Sequence, residues 1–292
     1  MSWIILVLLY GLLKGGREIA KKKAMEINTV MEVLFSYTLI SFILVIPQAP
    51  KAGGLEVKFY FFIALKSFCM FLAWICSFNS LKHLPVSVFG VLSLSRVLFG
   101  TMMGLIFLKE AMGLFQIIGM LLVCAGLLLL KVTESRNRIA EKQENQTRVL
   151  FIILAFLSCI FNSISGFMDK ILMKDITSSQ LQFWYMLFIV IYYALYLVIK
   201  KEAFSLSVVK NIWVWILAVM FVIGDKALFM ANGNPESKIT LMTLIKQSAC
   251  LVTIVGGKIF FGEKNITRKL LCASIIILGI FLASLSVNVF NR

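Results

Sequence analysis

From Trp3 to Val289 this sequence is a succession of apolar runs, each close to the length that crosses a bilayer, and only one of the breaks between them is long. A transmembrane helix needs about 20 consecutive apolar residues. On that rule ten spans can be drawn, roughly over 3–22, 28–47, 57–79, 85–108, 112–131, 149–173, 180–199, 211–232, 238–261 and 267–289. They use most of the 292 residues and leave no room for a sizeable soluble domain. Composition agrees: 60% of positions are hydrophobic, 15% are charged and the mean hydropathy is +0.95, whereas a soluble domain carries about 25% charged residues. The expected fold class is an all-α integral membrane protein, multi-pass and set in the cell membrane. No cleavable signal peptide is expected, because no basic stretch precedes the first apolar run.

The long break, Lys131 to Arg148, divides the ten spans into five and five. The halves echo one another. Pro85 to Arg96 reads PVSVFGVLSLSR and Pro235 to Lys246 reads PESKITLMTLIK, each a proline followed eleven positions later by a base. Phe107 to Glu110 (FLKE) answers Phe260 to Glu263 (FFGE), and a Gly-containing apolar run follows each. The register slips by three residues between these two anchors. Because five is odd, the second half crosses in the opposite sense, which makes an inverted repeat, the sequence symptom of a secondary transporter with its site at the repeat interface. The expected boundaries are 1–131 for the first repeat, 132–148 for a charged linker and 149–292 for the second.

On these two five-span halves and their closing patterns, F107-L-K-E110 with Q116-I-I-G119 through G126, and F260-F-G-E263 with the run through Gly279, the chain resembles the drug/metabolite transporter superfamily and, within it, the EamA-type proteins. The resemblance implies ten helices, alternating access, and a central cavity lined chiefly by the first, third and fourth helices of each half. A Trp-Gly pair is usual near the middle of the family's first helix. Tyr10-Gly11 stands there in this chain, followed by Lys14.

A charge at mid-bilayer costs at least about 2.5–3.5 kcal/mol, so each one needs a reason. Arg17, Glu18, Glu32, Glu110, Lys170, Lys258 and Glu263 lie near span ends and are expected to snorkel to the interface. Lys14, Lys66, Arg96, Lys246 and the pair Asp225-Lys226 lie deeper. That is five bases against one acid. A buried Lys can shed its proton and an Arg cannot, so Arg96 calls for a carboxylate, carbonyls or a bound anion. Helical spacing sets Ser93, Arg96, Gly100 and Gly104 on one face, Thr240, Thr243, Lys246, Cys250 and Thr253 on another, and Ser158, Asn162, Ser165 and Asp169 on a third. Small and polar stripes also glue helices together, but packing does not require a charge. The candidate substrate-binding residues are therefore Lys14, Lys66, Ser93, Arg96, Asn162, Asp225, Thr243 and Lys246, with Asp225 and Asp169 as candidate coupling carboxylates. Trp74, Phe71 and Tyr185 are candidate cavity aromatics.

Catalytic signatures are absent. The single histidine, His83, has no sequence partner for triad or metal chemistry, and there is no phosphate-binding glycine loop. The six cysteines all fall inside apolar segments without a C-x-x-C pair. No enzyme activity, metal or cofactor is expected. The net charge of +15 reads as basic loops against anionic lipid, not as a nucleic-acid surface. The expected partners are the bilayer and a small-molecule substrate, with a homodimer allowed. Loop Lys and Arg counts put both termini outside, while the family resemblance implies both inside. Three functions fit: a secondary active transporter of a small polar metabolite, anionic by the surplus of deep bases; an exporter of amino acids or of cationic or lipophilic compounds coupled to a proton gradient; and a non-transporting membrane scaffold.

Overall fold

The fourth and ninth expected spans are not continuous α-helices. The computed structural model describes residues 2–109, 113–136, 145–201, 205–263 and 266–289. In chain order its α-helices are α1 (Ser2–Ala24), α2 (Val30–Val45), α3 (Val57–His83), α4 (Val86–Leu92), α5 (Arg96–Phe107), α6 (Leu114–Arg136), α7 (Asn145–Leu172), α8 (Ser178–Lys200), α9 (Ile212–Asn232), α10 (Ile239–Ile245), α11 (Ala249–Phe261) and α12 (Ile266–Val289). A three-residue 3-10 turn, Ser93–Ser95, joins α4 to α5, and another, Lys246–Ser248, joins α10 to α11. All ten expected segments are thus helical, two of them broken, and there is no strand among the described residues. Six segments are long and apolar enough to cross a membrane: Val30–Lys51, Val57–His83, Val149–Leu172, Ser178–Lys200, Ile212–Asn232 and Ile239–Phe261. The protein is an all-α membrane protein. The linker expected at 132–148 is helical at both ends, in α6 to Arg136 and in α7 from Asn145. Its residues 137–144, like Glu110, lie outside the described residues.

The breaks have local causes. The hydroxyls of Ser93 and Ser95 donate to the carbonyls of Gly90 (2.6 Å) and Leu92 (2.8 Å), which offers the backbone an alternative to the regular ladder. Across the second break the Gln247 amide donates to the Thr243 carbonyl at 2.6 Å.

Helix packing follows a reciprocal scheme. α1 lies on α9 as α7 lies on α3; α2 faces α8 and α6 faces α12; α4 packs on α11 and α5 on α10. Exchanging each segment of the first half for its counterpart in the second maps this scheme onto itself. Side chains obey the same exchange. Thr29 and Glu32 form a capping box at the start of α2, and Thr177 and Gln180 form one at the start of α8. Lys22 donates to the Leu84 carbonyl at 2.6 Å, while Lys170 donates to the Asn232 carbonyl at 3.0 Å. Positions 22 and 170, 29 and 177, and 84 and 232 are each 148 apart.

Past those points the offset becomes 153. Gly90 lies under Thr253, and Gly100 under Thr243, where an added Cβ would come within 2.7 Å of the hydroxyl oxygen; 243 follows 90, and 253 follows 100, by the same 153. The longer turn after Asn232 supplies the five extra residues. Lys246 therefore stands opposite Ser93, and Arg96 opposite Ala249. The expected equivalence of Arg96 and Lys246 is off by one helical turn, because the sequence anchor Pro235 sits inside that longer turn.

Apolar side chains on outward faces, such as Ile5, Phe61, Val198 and Ile259, are exposed, as a lipid-facing surface requires. The interior holds an aromatic cluster in which Tyr37 lies 5.5–5.7 Å from the rings of Trp74, Phe78 and Phe221.

Candidate functional site

The cavity begins with the face of α1. Tyr10, Lys14, Arg17, Glu18 and Lys21 recur at intervals of three and four, so they share one side of the helix. Gly15 lies on α11, where a Cβ would sit 2.6 Å from the Ala249 carbonyl and 2.5 Å from the Val252 side chain. That approach brings the α1 charges to the second helix break. The result is a cavity of about 740 Å³, its open mouth included. Its wall comes from α1, α3, the first residue of α5, α7, α9 and the Lys246 break, with Tyr37 from α2 and Tyr185 from α8. These are the first, third and fourth segments of each half, as the resemblance implied, plus two tyrosines.

Six bases line it: Lys14, Arg17, Lys21, Lys66, Arg96 and Lys246. Three acids line it: Glu18, Asp169 and Asp225. Every acid is taken. Arg17 meets Asp225 at 3.1 Å, Lys66 meets Asp169 at 2.9 Å and Lys21 meets Glu18 at 2.9 Å. All six of these residues are buried. Aromatic rings hold the cations as well: the Arg17 guanidinium lies 5.3 Å from the Tyr10 ring centre and Lys66 Nζ 3.4 Å from that of Tyr185. An ion pair out of water is costly to form and costlier to break, since loss of one partner strands the other charge. The paired side chains are therefore expected to stay paired.

Lys14, Arg96 and Lys246 are the remainder. Lys14 is 4% exposed and its Nζ is buried with no hydrogen-bond partner. Arg96 Nε is likewise buried without one. Among the described residues Lys246 has no carboxylate within ion-pair distance, and its Nζ lies 5.6 Å from the ring centre of Tyr10. Arg96 and Lys246 flank the two helix breaks, and Lys14 comes from the helix that lies against the second.

The other expected site residues divide. Asn162 lines the cavity and donates to the Ser158 carbonyl at 2.7 Å. Thr243 lies beyond, on a smaller adjoining chamber. Ser93 is absent from both linings and spends its hydroxyl on the Gly90 carbonyl. Lys66 and both candidate coupling carboxylates, Asp169 and Asp225, are in the cavity in ion pairs. Lys226 lies outside it, donating to Gln48 (2.9 Å) and Ser179 (2.8 Å). Trp74 and Tyr185 line the cavity; Phe71 belongs to the aromatic core against Tyr193.

Position along the span misled the expectation for Arg17, Glu18 and Lys170. Arg17 and Glu18 do not snorkel to the interface but turn into the cavity, and Lys170 is buried on the Asn232 and Asn234 carbonyls and the Ser237 hydroxyl. The signal for the α1 residues was present in their three-and-four spacing with Lys14. No cluster that could hold a metal occurs among the described residues.

Residues 1–132 match the family model described as "EamA-like transporter family". Among solved structures, one titled "Crystal structure of protein" aligns with a TM-score of 0.75 at 12% identity, covering 100% of this chain and 99% of that one. At that identity the likeness speaks for the fold alone. No curated protein matches the sequence.

Proposed function

Residues 1–132 match the EamA-like transporter family of the drug/metabolite superfamily, and we propose that the whole chain is a multi-pass membrane transporter of that type and a secondary active carrier of a small polar anion. It works in the cell membrane by alternating access across two inverted five-helix repeats. The observation that carries the anion is the charge balance of the cavity: three acids, each spent on one base, and three bases left over. Arg96 cannot shed its charge and needs counter-charge in a medium where isolated charge is expensive; a carboxylate- or phosphate-bearing solute supplies it and favours the charged forms of Lys14 and Lys246 beside it. Asp169 and Asp225 act in this reading as fixed partners of Lys66 and Arg17, not as proton carriers. The repeat reading is supported by the reciprocal packing, the paired capping boxes and the exchanged Gly–Thr contacts.

Two half-helices begin at the cavity, α5 at Arg96 and α11 just past Lys246. Arg96 is the side chain on which the reading turns. Its guanidinium stays charged in any surroundings and offers a planar fork, whereas a lysine offers a point charge.

Uptake of a panel of mono- and dianionic metabolites into proteoliposomes tests the proposal. The wild type is expected to move at least one anion, Arg96→Ala to abolish that flux while remaining folded and inserted, and Arg96→Lys to restore part of it. Transport of cations and not of anions, or full activity of Arg96→Ala, removes the reading. Loss of folding in Arg96→Ala without separable loss of ligand binding would favour a scaffold.

A further inference from the structure

The cavity has a second chamber. About 360 Å³ with its open side included, it shares Arg96, Asn162, Gly166 and Lys246 with the larger one and extends beyond them to Ser163, Asn232 and Thr243. The four shared residues form a neck between the chambers. The two sides differ in character: the larger holds all three acids with their partners, and no carboxylate lines the smaller.

What the small chamber does hold is donors. Asn232 is 4% exposed, and its amide nitrogen is buried with no partner. Ser163 is 6% exposed, and its hydroxyl is also without one. Arg96 Nε is the third such atom, and Lys246 stands at the neck with no carboxylate among the described residues within ion-pair distance. Each buried donor left unmade is costly, and native interiors hold few of them. Several around one chamber mark a place where a ligand completes the set. Asn232 is held in position by its own carbonyl, which accepts from Lys170 at 3.0 Å. Room is present too, since nothing lies within 4 Å of where a Cβ on Gly166 would stand.

The geometry points to the small chamber as the subsite for the substrate's oxyanion group, a phosphate or a carboxylate, with Asn232 and Ser163 as donors beside Arg96 and Lys246. Such a group offers acceptor oxygens to every donor around it, and its charge answers the two unpaired cations. An ammonium group would leave the Asn232 amide and the two cations facing further donors and a like charge. The rest of the substrate then lies past the neck, in the larger chamber. This assignment rests on the anion-carrier reading and adds to it where the anionic group goes.

The test is a thermal-shift titration of the purified full chain with inorganic phosphate and, separately, succinate, since a ligand bound to the folded state raises its melting temperature. One or both should stabilise the wild type, and the better one identifies which oxyanion the chamber prefers. Asn232→Asp keeps the shape and the backbone carbonyl but turns a donor into a like charge; it should weaken the better ligand by about 10- to 100-fold. Ser163→Ala should weaken it by about 10-fold and decides the matter if Asn232→Asp does not fold. Wild-type affinity in both variants overturns the subsite and leaves the anion carrier standing, because the ligand then sits in the larger chamber. No stabilisation of the wild type by either probe also overturns the subsite, and the transport panel then shows separately whether the carrier reading survives.

Discussion

The two broken helices are built alike and charged differently. Each is a seven-residue helix, a three-residue tight turn and a second helix of about equal length, and they cross at Gly90–Thr253 and Gly100–Thr243, with both glycines from the first and both threonines from the second. Yet the first places a serine where the second places Lys246, and the second places Ala249 where the first places Arg96. The backbone can be reciprocal while the chemistry is not, because close packing fixes small residues at the crossing and leaves the cavity face free to vary. The same holds for the flanking helices: position 21 is a lysine paired with Glu18 on its own helix, whereas position 169, its counterpart, is an aspartate paired across to Lys66 on α3.

That last contrast carries the largest expected effect. Asp169→Ala strands Lys66, which is 1% exposed, and should cost about 3–5 kcal/mol of unfolding free energy. Glu18→Ala strands Lys21, which retains the Phe78 ring at 4.9 Å, and should cost less. The double change Lys66→Met with Asp169→Leu should recover most of the loss, since apolar residues of similar volume replace a buried pair without leaving a charge behind. Unfolding in mixed micelles measures all three. Equal losses for the two single variants would mean that pairing within a helix and across helices matter alike here, and the contrast would fall.

A smaller effect tests the reciprocal crossing. An alanine at Gly100 would bring its Cβ within 2.7–2.8 Å of the Thr243 side chain, and overpacking of this kind costs about 1–3 kcal/mol. Thr243→Ala should relieve it, because the nearest remaining atom is Thr243 Cβ at 3.3 Å. Gly90→Ala should be relieved by Thr253→Ala and not by Thr243→Ala. Rescue by the wrong threonine would break the register drawn between the halves.

Much of this architecture was legible in the sequence because hydropathy is a local signal. A bilayer demands a long apolar run wherever a helix crosses, so the ten segments could be read one at a time. The charge surplus was legible as well, since a deep Arg96 or Lys14 is an anomaly visible without a partner. The pairing was not. Which base Asp225 meets depends on how closely α1 and α9 approach, and that is set by glycines such as Gly16, which faces Met220 of α9 more than 200 residues away. Distance from a span end proved a poor guide for Arg17 and Glu18, because they share the cavity-facing side of α1 with Tyr10 and Lys14 and find buried partners there. Asn232 and Ser163 carried no signal at all: one closes a helix and the other sits between stripes, and only the orphaned donor atoms reveal them.

The smallest expected effect lies at the far end of the same broken helices. Lys109 and Gly262, 153 residues apart, both adopt the left-handed conformation, with φ of 51° and 60°. At Gly262 the sequence satisfies the geometry, because glycine has no Cβ to clash there. At Lys109 it does not, and an L residue in that region is strained by roughly 1–2 kcal/mol. Lys109→Gly should therefore stabilise the protein, by about 0.5–1 kcal/mol once the greater freedom of glycine in the unfolded chain is set against the relieved strain. Gly262→Ala should destabilise by about 1 kcal/mol. It does so through the backbone alone, since nothing lies within 4 Å of the added carbon. The two changes sit far apart and share no partner, so their effects should add and nearly cancel in the double variant. A Lys109→Gly protein that melts lower than the wild type would show that the lysine side chain holds something the backbone strain conceals, and the likeness of the two helix ends would stop at their dihedral angles.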